Sequence, residues 1–202
     1  MPHDDRPSTP ATRVVIAEDE ALIRLDLAEM LAEEGYVVVA QASDGEQAVR
    51  LVEEHLPDVV LMDIKMPKLD GIEATSRIAG QRLAPVVLLT AFSQRELIDR
   101  AREAGAMAYL VKPFQQSDLP PAIEMARSRF AEMAALEAEV EDLGERLETR
   151  KAVERAKSVL QGVYGISEAE SFRWIQKSAM DLRLSMRQVA EQVIDKGSET
   201  PT

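Results

Sequence analysis

The sequence predicts an α/β domain, a doubly wound five-stranded parallel sheet of order 2-1-3-4-5, followed by a long coiled-coil-like helix and a small three-helix all-α domain. Three observations carry this expectation. Short aliphatic runs alternate with helical stretches as far as Gln115. Those runs are continuously apolar, as strands covered on both faces must be. Beyond Leu119 the apolar residues recur every three or four positions with acids between them, the spacing of a helix stripe.

The predicted strands are Val14–Ala17, Val37–Ala40, Val59–Met62, Val86–Leu89 and Ala108–Val111. Between them lie helical stretches such as Ala21–Glu34, apolar at Leu22, Leu25, Met30 and Leu31, and Glu46–Glu54. Gly35, Pro57, Gly71, Pro85, Gly105 and Pro113 punctuate the element ends. Five β-α repeats with right-handed crossovers give a flavodoxin-like sheet.

In the next segment Ala126, Phe130, Met133, Leu136, Val140, Leu143 and Leu147 form a narrow stripe. No other apolar segment is left to cover it, so the stripe predicts a coiled-coil linker that pairs between chains. The last helices follow. Val153, Ala156, Leu160 and Val163 make one stripe. Ser167 with Glu170 is a capping box opening a second helix, with Ala169, Phe172, Ile175 and Ala179 inward. Ser185 with Gln188 opens a third, carrying Met186, Val189, Ala190, Val193 and Ile194. The expected organisation is a disordered leader over 1–12, an α/β domain over 13–130, a helical linker over 131–148, a helical module over 149–197 and a tail over 198–202.

Composition narrows the function classes. There is no cysteine, which excludes disulfides and thiolate metal sites, and the two histidines, His3 and His55, do not make a zinc centre. No apolar run approaches ~18 residues and the first residues lack a signal-peptide core, so the expected setting is the cytoplasm, with no membrane partner. The net charge of -12 is unevenly spread. Residues 149–197 hold nine Lys/Arg against six Asp/Glu, whereas residues 131–148 hold one against seven. Only the last folded segment is basic, the asymmetry of a local anion-binding face.

Chemistry concentrates at the predicted strand ends. Glu18 and Asp19 follow the first strand, Asp63 the third, Thr90 the fourth and Lys112 the fifth. In an open parallel sheet, ligands bind beyond the carboxyl ends of the strands. Taken singly, a strand-end Asp is more often an N-cap, Lys112 a solvated lysine, Thr90 a satisfied turn residue and Tyr109 plain packing. Their alignment at four strand ends argues for a ligand site. Gathered carboxylates repel, and a hard divalent cation with oxygen ligands, Mg2+, relieves that repulsion. Glu18, Asp19 and Asp63, with the backbone carbonyl of Lys65, are the expected ligands. Asp63 is then placed to attack a phosphoryl group, with Lys112 and Thr90 on the phosphoryl oxygens. A phosphatase of the haloacid-dehalogenase kind is the enzymatic rival. It wants a second acid two residues after the nucleophile, where Lys65 stands.

AEDE, LMDIKMPKLDG, LLTAFS and AYLVKPF resemble the receiver domain of two-component response regulators, over roughly residues 12–130. The resemblance implies that Asp63 accepts a phosphoryl group from a sensor histidine kinase, that Tyr109 is an aromatic switch partner of Thr90, and that Pro113 follows a cis peptide bond. The chain would then be a switch and not an enzyme. The segment ERAKSVLQGVYGISEAESFRWIQKSAMDLRLSMRQVAEQVI resembles the ANTAR domain, an RNA-binding module of transcription antiterminators. That resemblance implies RNA stem-loops as partners; phosphorylation is expected to promote a homodimer paired through the long helix. Ser171 stands where the family usually has alanine. Lys151, Arg155, Lys157, Arg173, Lys177, Arg183 and Arg187 are the candidate phosphate contacts, and Trp174 a candidate base-stacking ring. The bland alternative is that these cations only solvate helix faces. A DNA-binding regulator with a helix-turn-helix and a stand-alone phosphorelay protein are the remaining rivals; the ANTAR-like string opposes the first and the basic tail the second.

Overall fold

Branched aliphatic runs form five strands, Arg13–Ala17 (β1), Val37–Ala42 (β2), Val59–Asp63 (β3), Val86–Thr90 (β4) and Ala108–Val111 (β5). The computed structural model describes residues 11–91 and 95–198. All neighbouring strands are parallel, in the order β2-β1-β3-β4-β5. Every residue of β3 and β4 is buried, which is why these runs carry no polar alternation.

Successive side chains leave the sheet on opposite faces and build two cores. Val15, Ala17, Val60, Met62 and Leu88 meet helices α2 (Gly45–His55), α3 (Gly71–Gly80) and α4 (Arg95–Glu103). Val14, Ile16, Leu61, Val87 and Leu89 meet α1 (Ala21–Glu33) and the start of α5 (Leu119–Tyr164). Each such aliphatic side chain contributes about 1.5–3 kcal/mol relative to exposure. In α1 the inward residues are Leu27 and Leu31, while Leu22 and Leu25 are exposed. Leu22 and Leu27 are five residues apart, about 140° around a helix, so one line alone can reach the sheet.

The largest difference from expectation is continuity. The linker and the first helix of the terminal module are one helix, α5, of 46 residues. Pro120 and Pro121 fall in its first turn, where a missing N–H costs no intrahelical bond. The helix ends at Gly165, whose φ of +65° suits a residue without a Cβ. The chain divides into two compact units after Met133, so α5 belongs to both. The second unit comprises the rest of α5, α6 (Glu168–Leu182) and α7 (Met186–Ser198).

Val153, Ala156, Leu160, Ile175, Ala179, Val189 and Ala190 make the core of the second unit. The inward line of α6 is Ser171, Ile175 and Ala179 at i, i+4, i+8. Ala169 and Phe172 are exposed, a correction to the predicted inward set, as is Val163. Ser171 is tolerated in the core because its hydroxyl donates to the Ser167 carbonyl at 2.9 Å. Both predicted capping pairs close. Ser167 accepts from the Glu170 N–H while Glu170 accepts from the Ser167 N–H, and Gln188 accepts from the Ser185 N–H at 2.9 Å.

Residues 1–10 and 199–202, most of the expected leader and tail, lie outside the described residues. Thr12, grouped with the leader, already accepts from the Val37 N–H at 2.9 Å beside the sheet. Among the described residues no helix is long and apolar enough to cross a membrane.

Candidate functional site

The ends of β1, β3, β4 and β5 converge because parallel pairing keeps them in step: Asp63 is level with Leu89, and Thr90 with Val111. Glu18, just past β1, is buried, as are Asp63 and Thr90, while Asp19 is exposed. Lys112 follows β5, its N–H donating to the Thr90 carbonyl at 2.7 Å. Its ammonium donates to Asp63 Oδ1 at 2.5 Å and to Glu18 Oε2 at 2.6 Å. The Lys112–Pro113 peptide bond is cis.

The β3–α3 loop holds the Asp63 carboxylate in place. Asp63 Oδ2 accepts from the Lys65 N–H at 2.8 Å, and the Gly71 N–H donates to the Ile64 carbonyl at 2.8 Å. A Cβ on Gly71 would stand 2.0 Å from the Asp63 carbonyl oxygen, so glycine is required at this approach. Farther along the loop, Lys68 donates to Asp44 Oδ2 at 2.7 Å while Asp44 Oδ1 caps α2 through the Gln47 N–H at 2.8 Å.

Burial pushes the Glu18 carboxyl above its ordinary range, and the neighbouring Asp63 adds to this, although the Lys112 ammonium opposes it. Burial alone would lower Lys112. Its bonds to Asp63 and Glu18 more than offset that, and its pKa is raised. Carboxylate oxygens of Glu18, Asp19 and Asp63 lie within 4.8 Å of one another. Three hard oxygen donors so close suit a hard divalent cation. The predicted strand-end residues are thus brought together, with the Lys65 backbone at the mouth of the loop.

Thr90 and Tyr109 line one small cavity of about 10 Å3 with Ile64, Leu88 and Leu97. The Tyr109 ring is half-exposed. Sequence reasoning missed Arg24, in the first turn of α1, which donates to the Glu18 carbonyl at 2.6 Å and the Asp19 carbonyl at 3.4 Å. Its spacing, six residues after Glu18, was the available signal.

In the second unit the predicted cations separate into two groups. Arg155, Arg173, Lys177 and Arg183 are exposed, and Lys151 and Arg187 are exposed but bridge Glu148 at 2.9 Å and Glu191 at 2.8 Å. Arg183 is the left-handed C-cap of α6. Lys157 differs: its side chain is 7% exposed, and its ammonium joins Glu154 at 2.9 Å to Glu168 at 2.6 Å. It therefore staples the α6 N-terminus to α5, a role the charge count did not distinguish. Trp174 is 48% exposed and lines a cavity of about 120 Å3 with Tyr164, Val163 and Lys196, which the sequence reading did not single out.

Comparison with known proteins agrees with this geometry. Residues 14–124 match the response regulator receiver domain, and residues 141–194 match the ANTAR domain. The transcriptional regulatory protein PdtaR of Mycobacterium tuberculosis is 62% identical over 194 residues, 96% of this chain and 95% of that protein. The chemotaxis protein CheY of Bacillus subtilis is 40% identical over 114 residues, 56% of this chain and 95% of that one. Among solved structures, the receiver domain of the putative response regulator NarL from Mycobacterium tuberculosis superposes with a TM-score of 0.56 at 28% identity, covering 58% of this chain and 97% of that chain. A chain of the CheX–CheY–BeF3–Mg complex of Borrelia burgdorferi gives 0.53 at 29% identity, covering 59% of this chain and 89% of that chain. With a receiver match over its first unit, an ANTAR match over its second and a transcriptional regulator 62% identical along nearly its whole length, the chain belongs to the response-regulator family, as a transcriptional regulator, and not an enzyme, built from a receiver domain and an ANTAR domain.

Proposed function

We propose that this protein is a phosphorylation-controlled antiterminator in which Asp63 receives a phosphoryl group from a sensor histidine kinase and the ANTAR domain holds RNA stem-loops. The observation that carries the reading is the Lys112 ammonium clamped between Asp63 and Glu18, a fixed cation facing the carboxylate that would be modified. An Asp63 carboxylate oxygen attacks phosphorus, the phosphorus–nitrogen bond of the donor phosphohistidine breaks, and the imidazole leaves with the electron pair. Glu18, Asp19, Asp63 and the Lys65 carbonyl would hold Mg2+, which when bound neutralises charge on the transferring group. Lys112 then turns to the phosphoryl oxygens and Thr90 donates its hydroxyl to them. Thr90 moves inward, the Tyr109 ring follows into the space they share, and the β4–β5 face repacks.

The organisation we infer is a receiver over 13–130, a linker over 131–148 and an RNA-binding module over 149–197, acting in the cytoplasm. Phosphorylation favours pairing of two chains through α5. Lys151, Arg155, Arg173, Lys177, Arg183 and Arg187 supply phosphate contacts, Trp174 stacks on an unpaired base, and Lys157 acts mainly through the fold of the module. Labelling with acetyl phosphate and Mg2+ tests the switch. Asp63→Asn should abolish the hydroxylamine-labile phosphoryl adduct while leaving the melting curve cooperative. Gel shifts comparing RNA hairpins with duplex DNA test the output, and a preference for duplex would sink the antiterminator reading.

A further inference from the structure

Within the second unit, Leu136, Val140, Leu143 and Leu147 of α5 are 63%, 69%, 55% and 53% exposed. Their spacing of four, three and four residues is that of a coiled-coil seam. The same helix buries Val153, Ala156 and Leu160 in the core of its own module. At ~100° per residue these three lie about 120–180° around the helix from Leu147. Seam and module face are therefore separate, and a second helix can cover the seam without displacing α6 or α7.

Resting on the reading of α5 as a pairing element, we propose that two copies of this chain pair antiparallel along this seam. In the proposed register Val140 faces the partner's Leu143, and Leu136 faces the partner's Leu147. The flanking charges select this arrangement. Glu139 and Arg146 each precede a seam position, Glu137 and Gly144 each follow one, and Lys151 stands one heptad after Gly144 on the same side. A parallel pair would set Arg146 against the partner's Lys151 and Glu139 against the partner's Gly144, two repulsive contacts per dimer and no attractive one. The antiparallel register sets Glu139 against the partner's Arg146, twice by symmetry. Sliding it by one heptad in either direction brings Glu139 against the partner's Glu139, or Arg146 against the partner's Arg146. Arg146 already bonds Asp142 at 3.0 Å through one nitrogen, and its guanidinium keeps further N–H donors for the partner.

The absence of cysteine makes the test clean. In the proposed register Leu136 of one copy lies eleven residues, about 16 Å, from the partner's Leu136, too far for a disulfide. Full-length L136C, L147C and L136C/L147C would be oxidised with and without acetyl phosphate and Mg2+, with sedimentation on the same samples. The double variant should crosslink at least tenfold faster than either single variant. Single variants that crosslink as fast as the double one overturn the orientation while leaving the dimer. Monomers at every concentration in both states overturn the dimer reading and the orientation with it. A dimer that never crosslinks places the interface elsewhere and overturns the seam. The charge variants provide a check independent of cysteine: R146E should weaken dimerisation about tenfold and E139R/R146E restore it. Tighter association of R146E alone would indicate the parallel pair.

Discussion

Lys112 and Asp63, 49 positions apart in the chain, meet at 2.5 Å across the ends of β5 and β3, and the same ammonium holds Glu18 at 2.6 Å. One side chain thus neutralises two acids that a divalent cation would also neutralise. Lys112→Met should destabilise the metal-free receiver by roughly 1–3 kcal/mol, because two partly buried carboxylates lose their counter-charge. Mg2+ should then stabilise the variant more than the parent. Urea unfolding in EDTA and in excess Mg2+ measures both; an equal Mg2+ effect in the two proteins would show that lysine and metal do not share these oxygens.

Gly71 tolerates no side chain. A Cβ there would press on the Asp63 carbonyl oxygen at 2.0 Å, which is backbone and cannot swing away. Gly71→Ala should cost about 1–3 kcal/mol through overpacking, and lower acetyl-phosphate labelling by displacing the β3 end that carries Asp63. Unchanged labelling in a variant of unchanged stability would mean that the loop has slack which this geometry does not show.

The Asp44–Lys68 pair sets a pH dependence with a definite sign. The bond from Lys68, aided by the Gln47 N–H, holds the Asp44 carboxyl below its ordinary value of 3.8. A depressed carboxylate stabilises the fold above the unfolded-state pKa, and that contribution is lost as pH falls through the folded-state value. The stability gap between the parent and Lys68→Met should therefore be present at pH 6 and close below pH 3.8. Lys68 is largely exposed, so the gap is at most about 1 kcal/mol and shrinks with salt. A gap that persists in acid would assign the effect to packing of the Lys68 side-chain stem and not to its charge.

Two lysines of the second unit should behave differently. Lys157→Ala, which removes the bridge from Glu154 to Glu168, should lower the melting temperature of the ANTAR domain. Lys177→Glu should leave melting unchanged, weaken hairpin binding about five- to tenfold and reduce the salt slope of log K by roughly 1. Calorimetry and salt-titrated gel shifts separate the two. Equal loss of RNA affinity with no change in melting would make Lys157 a direct contact.

Much of this was legible before any coordinates. The β3 run VVLM announced a strand buried on both faces, and Ser167 with Glu170 announced a helix start, because both signals are local. Leu22, Leu25, Ala169 and Phe172 were misleading. A periodic apolar residue shows that a helix forms but not which of its lines faces the neighbour, and a burial line is chosen by the partner surface. The continuity of α5 was hidden for a related reason. A linker and a domain helix have the same period, and neither Gly144 nor Gly162 interrupts the helix between them.

The strand segments, the identity of the strand-end donors and the basic character of the terminal module follow from the sequence, since each depends on residue type and on spacing within a few positions. The fold alone decided which charges meet. Lys112 finds Glu18 at 94 positions' distance, Arg24 turns back to the Glu18 carbonyl, and Lys157 is consumed by Glu154 and Glu168 while Lys177 stays in solvent. Charge interactions act through space and fall with distance and screening, so nothing in the order of the residues reveals them until packing has brought the groups together.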